Sequence, residues 1–133
     1  MNELTTITHY CKEQITAACL GLNTPYQTVK ILYQNKEMAE MEYSKSGEKE
    51  LTLEIRFDNA TLTYLFDNQK ICDGAYLFLD DSSEVTHYLQ YCSKTFQYNH
   101  LLKGWVNDGC IIKIYIESNE CNLMVLPIKS IGS

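Results

Sequence analysis

Apolar residues recur at three- and four-residue steps along the first 22 positions of the chain. This spacing places them on one side of a helix for about five turns, with polar residues on the other side. The apolar stripe comprises Leu4, Ile7, Cys11, Ile15, Ala18 and Leu22. The polar side comprises His9, Lys12, Glu13, Gln14 and Thr16. Gly21 and Asn23 are stop signals, so the pattern predicts an amphipathic helix that ends near residue 22.

A second pattern, with a period of two, runs through the middle of the chain. Apolar and polar residues alternate in three segments, centred on Met41, Leu53 and Tyr64 and separated by the turn sequences SKSGEK and DN. Such alternation is typical of antiparallel strands with one face in water. The segment from Gly74 to Leu79 is more continuously apolar, which favours a central strand. Together these segments predict a β-meander.

The segment between the first helix and the meander fits two structures. Thr24-Pro25 could begin a short helix, because proline is favoured at the first helical position and threonine as its cap. Alternatively, Val29 and Ile31 flank a polar residue, as in a strand. We predict a strand after Gln27.

The last third of the chain predicts a second helix and a hairpin. The helix begins near Ser82 or Ser83, and its buried stripe comprises Val85, Tyr88, Leu89, Cys92 and Phe96. VNDGC is a strong hairpin signal, because Asp-Gly tolerates the positive φ of tight turns. A strand from Cys110 to Glu117 then pairs with one from Cys121 to Leu126. Residues 1–133 therefore form a single α+β domain with an N-terminal amphipathic helix, an antiparallel β-meander, a second helix and a C-terminal β-hairpin.

The charge of the chain narrows the classes of partner. Seventeen acidic and 11 basic residues give a formal net charge of −6. This balance disfavours nucleic acid, whose phosphates require lysine and arginine, and it disfavours anionic membranes. Between Asp58 and Tyr91 there are six carboxylates and a single lysine, a net charge of −5. We therefore expect a basic protein as the partner.

Six cysteines raise the question of disulfide bonds. An even number is typical of a secreted framework, but the N-terminal sequence MNELTTITHYCKEQ lacks the basic and apolar regions of a secretory signal. Most of the cysteines also occupy positions where a small apolar side chain would fit a core. We predict free thiols and a cytoplasmic location.

The sequence contains no recognisable catalytic or cofactor motif. It lacks G-x-x-x-x-G-K, G-x-G-x-x-G, G-x-S-x-G and C-x-x-C. Zinc ligands usually occur in tight local pairs, which are missing here. His100, in FQYNHLLKGW, is the best candidate for a histidine that activates a thiol, and packing against Tyr98 is its structural alternative. We predict no enzyme activity, no metal and no cofactor.

Two adjacent aspartates, Asp80 and Asp81, follow the apolar sequence YLFL and precede the second helix. Carboxylates at this position could bind a metal ion, cap the helix or contact a basic partner. Capping accounts for at least one of them, because the first helical turn has free N–H groups. The predicted helix also presents a polar strip opposite its buried stripe. The resulting partner-binding site comprises Asp80, Asp81, Glu84, His87 and Tyr91, and the alternative is a solvated helix face.

Three classes of function agree with these features. The first is a small acidic, non-catalytic binding protein, such as an immunity or inhibitor protein that neutralises a basic bacterial toxin, for example a nuclease. The second is a chaperone for a secreted effector. Small acidic α+β chaperones of type III secretion are similar in size and in their helix-then-strands order, although they end in a helix and LMVLPIKSIGS predicts a strand and tail. The third is an enzyme with a dispersed Cys/His site.

Overall fold

The computed structural model describes residues 3–45, 48–117 and 120–128. Within these ranges the chain forms three α-helices and eight β-strands. The helices are α1 (Glu3–Gly21), α2 (Tyr26–Leu32) and α3 (Val85–Thr95), with a 3₁₀ helix, Ser82–Glu84, before α3. The strands are β1 (Met38–Lys45), β2 (Glu48–Arg56), β3 (Ala60–Phe66), β4 (Cys72–Leu79), β5 (Gln97–Asn99), β6 (Gly104–Asn107), β7 (Cys110–Glu117) and β8 (Glu120–Pro127). The predicted α+β class is confirmed.

All eight strands pair in one antiparallel sheet, in the order β1-β2-β3-β4-β8-β7-β6-β5. The first four strands form the predicted meander. The last strand, β8, returns to pair with β4, so that Ala75 lies opposite Val125 and Leu77 opposite Leu123. These four side chains are buried, which places the core over the seam between β4 and β8.

The turn between β6 and β7 confirms the hairpin predicted from VNDGC. Asn107 pairs directly with Cys110, so Asp108 and Gly109 alone connect the two strands. Asp108 has a φ of 51°. A two-residue turn with positive φ suits the twist of the flanking strands. The turn places Cys110 beside Cys19 in the last turns of α1.

Helix α1 packs against one face of the sheet through its predicted stripe. Its buried members include Cys11, Ile15, Ala18 and Leu22, while the side chains of Leu4 and Ile7 lie outside the described residues. The helix approaches β3 so closely that a Cβ on Gly21 would lie 2.2 Å from Cε1 of Tyr64. The Tyr64 hydroxyl donates a hydrogen bond to the Ala17 carbonyl at 2.7 Å. Glycine is needed at position 21 because any side chain would overlap this fixed ring.

Gln14 is buried, whereas the helical period predicts it on the polar side of α1. Its side chain is enclosed between α1, α3 and the turn that joins β2 to β3. The Gln14 Nε2 donates to Asn59 Oδ1 at 2.6 Å, and its Oε1 accepts from the Tyr88 hydroxyl at 2.5 Å. Asn59 Nδ2 donates to the Tyr88 oxygen at 3.1 Å, which closes a ring of three side chains. The prediction that Gln14 faces water is therefore wrong. Its burial is tolerated because the oxygen and the nitrogen of the amide both have hydrogen-bond partners.

The predicted strand after Gln27 is also wrong, because the segment forms α2. Pro25 is the N-cap residue, with φ −64° and ψ 147°. Tyr26 and Val29 are buried about one helical turn apart, whereas Ile31 is exposed. A strand would have placed Val29 and Ile31 on the same face, and the helix separates them. The three-residue spacing of the buried Tyr26 and Val29 is therefore the spacing of a helix.

Candidate protein-binding surface

Asp80, the first residue of the predicted site, is paired with Arg56 at the end of β2. The Arg56 Nη1 donates to Oδ1 at 2.8 Å and its Nη2 donates to Oδ2, so the contact is bidentate. These hydrogen bonds hold the pKa of the Asp80 carboxyl below its usual value, and the same contact raises the pKa of Arg56. Because a guanidinium already neutralises this carboxylate, Asp80 adds little net charge to the surface.

Asp81 caps the turn before α3, as predicted. Its Oδ1 accepts hydrogen bonds from the Ser83 hydroxyl at 2.7 Å and from the Ser83 backbone N–H at 3.0 Å. The two bonds lower the pKa of the Asp81 carboxyl. Glu84 follows at the end of the 3₁₀ helix, and its Oε2 lies 3.5 Å from Nδ2 of Asn59. Since these partners are neutral, Asp81 and Glu84 provide the negative charge of the predicted site.

His87 and Tyr91 lie half-buried on the flank of α3. The Tyr91 ring packs edge-on against Phe96, with 5.9 Å between ring centroids, and burial raises the pKa of its hydroxyl. The side chains of α3 that are most open to water are Thr86, Gln90, Ser93, Lys94 and Thr95. The predicted site therefore combines one neutralised carboxylate, two anionic carboxylates and two half-buried rings.

The face of the sheet opposite the helices carries a group of exposed aromatic residues at its centre. Tyr76 and Phe78 alternate along β4, and their rings stack with 6.0 Å between centroids. Tyr76 lies opposite Met124 on β8, while Phe78 lies opposite Asn122, which neighbours Tyr115 on β7. Phe78 is 43% exposed and Tyr115 41%. We call these five residues the aromatic patch.

Carboxylates line two depressions of the sheet, one of which includes residues of the aromatic patch. Glu50, Asp67 and Asp73 line a depression of about 340 Å³ at one end of β2, β3 and β4. Glu120 lines a second depression, of about 210 Å³, together with Tyr76 and Tyr115 of the patch. Basic side chains also belong to the face that carries the patch: Lys113 lies opposite Met124, and Arg56 donates to Thr61, the residue opposite Phe78. The patch thus has an aromatic centre and neighbours of both charges, with Glu120 acidic and Lys113 and Arg56 basic.

The sequence interpretation missed this patch. The continuous apolar character of Gly74 to Leu79 suggests a strand buried on both faces. In the structure, Ala75 and Leu77 are buried beneath the helices, whereas Phe78 is exposed on the other face. The sequence does contain a signal for the patch. Small and aliphatic side chains alternate with aromatic ones along β4, which indicates two different faces of the strand.

A second apolar surface lies between α1 and the segment that follows α2. It is a groove of about 580 Å³, lined by the apolar side chains of Ala17, Leu20, Leu32, Tyr33 and Phe57 and by polar residues at its edges. Leu20 is 69% exposed and Leu32 61%. Exposure of two leucines in one groove is unusual for a surface that only contacts water.

Residues with metal-binding potential are dispersed in the part of the chain that the structure describes. The described part of the chain contains no group of three or more His, Cys, Asp or Glu residues placed to hold a metal ion. His100 packs edge-on against Tyr98, with 5.0 Å between ring centroids, which is the structural alternative given above. Among the described residues, no helix has the length and apolar character needed to cross a membrane.

Comparisons with protein-family models, curated proteins and solved structures give no match for this chain.

Proposed function

We propose that this chain is a small, non-catalytic protein-binding domain that neutralises a basic protein, such as a bacterial toxin opposed by its immunity protein. The observation that carries the proposal is the aromatic patch on the face of the sheet opposite the helices. Phe78 and Tyr115 are large, partly exposed side chains that flank Asn122 on neighbouring strands of the sheet. Such side chains provide most of the binding energy when a partner excludes water from them.

The charge of the chain favours a cationic partner. The net charge of −6 would steer a basic protein towards it, Glu120 lies beside the patch, and Glu50 and Asp67 line a second depression at one end of the sheet. Arginine side chains of a partner could stack on the tyrosine rings and form bidentate contacts with these carboxylates. A nuclease toxin has this chemistry, because it must itself attract a polyanion.

Asp81 and Glu84 follow β4 in the chain, and Glu84 lies with the helices, where it contacts Asn59. The predicted site on α3 is therefore retained in the proposal as a second acidic region, separate from the patch. Asp80 has no direct role in it, because its charge is matched by Arg56.

Parallel capture experiments from a lysate of the host organism test the patch. The wild-type chain should retain a basic protein, and Phe78→Ala or Tyr115→Ala should weaken the affinity for that purified protein by about fivefold to thirtyfold, as expected for central contact residues. Leu101→Ala is the matched control, since Leu101 is exposed and lies outside the patch. Capture of a protein that is not basic, or equal affinities for all four chains, would refute the proposal.

Charge reversal tests the predicted site on α3 separately. Asp81→Lys combined with Glu84→Lys should slow association with the same purified protein at low salt, and the difference from wild type should shrink as salt screens the charges. Unchanged association rates would remove the residues of α3 from the binding surface while leaving the patch to its own test.

The apolar groove supports a second candidate, a chaperone that holds an extended segment of a secreted effector. Leu20 and Leu32 would contact apolar side chains of that segment. Leu20→Glu and Leu32→Glu should then abolish capture, while Phe78→Ala leaves it intact. The reverse result would favour the patch and reject the groove.

A further inference from the structure

Two cysteines from distant parts of the chain meet at the end of α1. Cys19 lies in α1 and Cys110 begins β7, directly after the Asp108-Gly109 turn. Their Sγ atoms are 3.0 Å apart although 91 positions separate the residues along the chain. A disulfide bond is about 2.05 Å long, so a small movement of one side chain would bring the two sulfur atoms to bonding distance.

The environment of Cys19 lowers the pKa of its thiol. The Cys110 thiol donates to the Cys19 sulfur, and Asn107 Nδ2 is a second donor at 3.6 Å. These hydrogen bonds lower the pKa of Cys19, whereas donation of its proton and burial raise the pKa of Cys110. The thiolate is the reactive form of cysteine, and Cys19 is also the more exposed of the two, so Cys19 is the better nucleophile of this pair.

Small molecules in solution can reach the pair. Cys19 and Cys110 line an open depression of about 430 Å³, whose other walls include Asn107 and Gly109. Cys19 is partly exposed there, whereas Cys110 is buried behind it. A reagent would therefore react first with Cys19.

The other cysteines have different environments. Burial raises the pKa of Cys11 and Cys72 to about 11 and that of Cys92 to about 12. Cys121 is buried as well. Reactivity towards disulfide reagents is therefore expected at Cys19 and Cys110 in preference to the other four thiols.

We propose that Cys19 and Cys110 are a redox modification site, at which a low-molecular-weight disulfide such as oxidised glutathione forms a reversible bond between α1 and β7. The Cys19 thiolate attacks one glutathione sulfur, so that a mixed disulfide forms and one glutathione leaves as a thiolate that takes up a proton. Cys110 then loses its proton and attacks the Cys19 sulfur, which releases the second glutathione. Two protein thiols are oxidised to one disulfide, and one oxidised glutathione is reduced to two thiols.

The new bond would fix the end of α1 to the β6–β7 hairpin and close a loop of about 90 residues. Closing such a long loop restricts the unfolded chain strongly, so the oxidised protein should melt roughly 10 °C above the reduced protein. The same bond would hold Leu20, which follows Cys19 directly, in its place beside the groove. The inference does not depend on the proposed function.

The test uses the purified, reduced chain equilibrated with an excess of oxidised glutathione. Free thiols are then alkylated, and the peptides are analysed by mass spectrometry without reduction. The expected product is a peptide pair linked through Cys19 and Cys110, with the other four cysteines alkylated. Reduction with dithiothreitol should restore all six thiols and the original melting temperature.

Two variants test whether the mixed disulfide with glutathione forms on Cys19. Cys110→Ala should stop at a stable mixed disulfide between Cys19 and glutathione, while Cys121→Ala, which removes another buried thiol of the same sheet, should form the bond as wild type does. A wild-type chain that stays fully reduced, keeps glutathione on Cys19 or links a different pair would overturn the proposal. The wild-type result decides the matter even if a variant fails to fold.

Discussion

The ring of hydrogen bonds around Gln14 provides a quantitative test of what holds α1 to the rest of the fold. Replacement of Gln14 by methionine keeps the length and flexibility of the side chain but removes its donor and acceptor. The Asn59 and Tyr88 side chains would each lose one hydrogen bond. The bond between Asn59 and Tyr88 would remain.

The expected cost follows from these two contacts. A buried hydrogen bond contributes about 1 kcal/mol net, and a partner left without one costs more when water cannot reach it. Tyr88 is buried but keeps Asn59 as a partner, and Asn59 is only partly buried. We therefore expect Gln14→Met to lower the free energy of unfolding by about 2 kcal/mol, a substantial share of the stability of a domain this size.

Urea unfolding, followed by the fluorescence of Trp105 and by circular dichroism, measures this loss. Gln90→Met is the matched control, because Gln90 is exposed on α3 and its replacement should change stability by less than about 0.5 kcal/mol. A double-mutant cycle with Tyr88→Phe should give a coupling of at least about 0.5 kcal/mol. The reasoning is refuted if the Gln14 and Gln90 variants are equally stable.

Two further predictions concern single contacts. Gly21→Ala should destabilise the protein by about 1–3 kcal/mol in the same unfolding assay, because the new Cβ overlaps Tyr64, and a destabilisation below about 0.5 kcal/mol would contradict the close approach of α1 to β3. The hydrogen bonds from Arg56 lower the pKa of Asp80 in the folded protein. The stabilisation from this exposed pair is therefore fully present above the unfolded pKa of about 3.8. It is lost as the pH falls through the lower pKa of the folded protein. Asp80→Asn should thus be less stable than wild type at pH 7, by at most about 1 kcal/mol, and should approach wild type near pH 2; a difference that grows with acidification would contradict this assignment.

Most of the fold could be predicted from the sequence because its elements have clear periods. The apolar stripe that includes Cys11 and Ile15 predicts α1, and the Asp108-Gly109 pair predicts the β6–β7 hairpin. The segment of α2 was misinterpreted because a seven-residue helix contains too few turns for its period to stand out from alternation. Gln14 was misplaced because periodicity describes faces of a helix and carries no information on which distant residues will satisfy a buried amide.

The candidate surfaces were harder to predict than the fold. Local sequence identified Asp81 as a helix cap, since that interaction joins residues two positions apart. The pairing of Asp80 with Arg56 joins residues 24 positions apart and depends on the register of the strands. The aromatic patch has the same origin, because Phe78 and Tyr115 become neighbours only through β8. Contacts of this kind require the topology of the sheet.

Because β8 lies between β4 and β7, the two halves of the sheet can join only after β8 has been synthesised. The ribosome releases β1 to β4 first, and the inner edge of β4 then has no neighbour until the final strand has been translated. An unpaired strand edge is a template for association with other chains. A premature stop before Glu120 would therefore leave two separate half-sheets, each with an open edge, and would expose Leu77 and Ile112, which β8 normally separates from water.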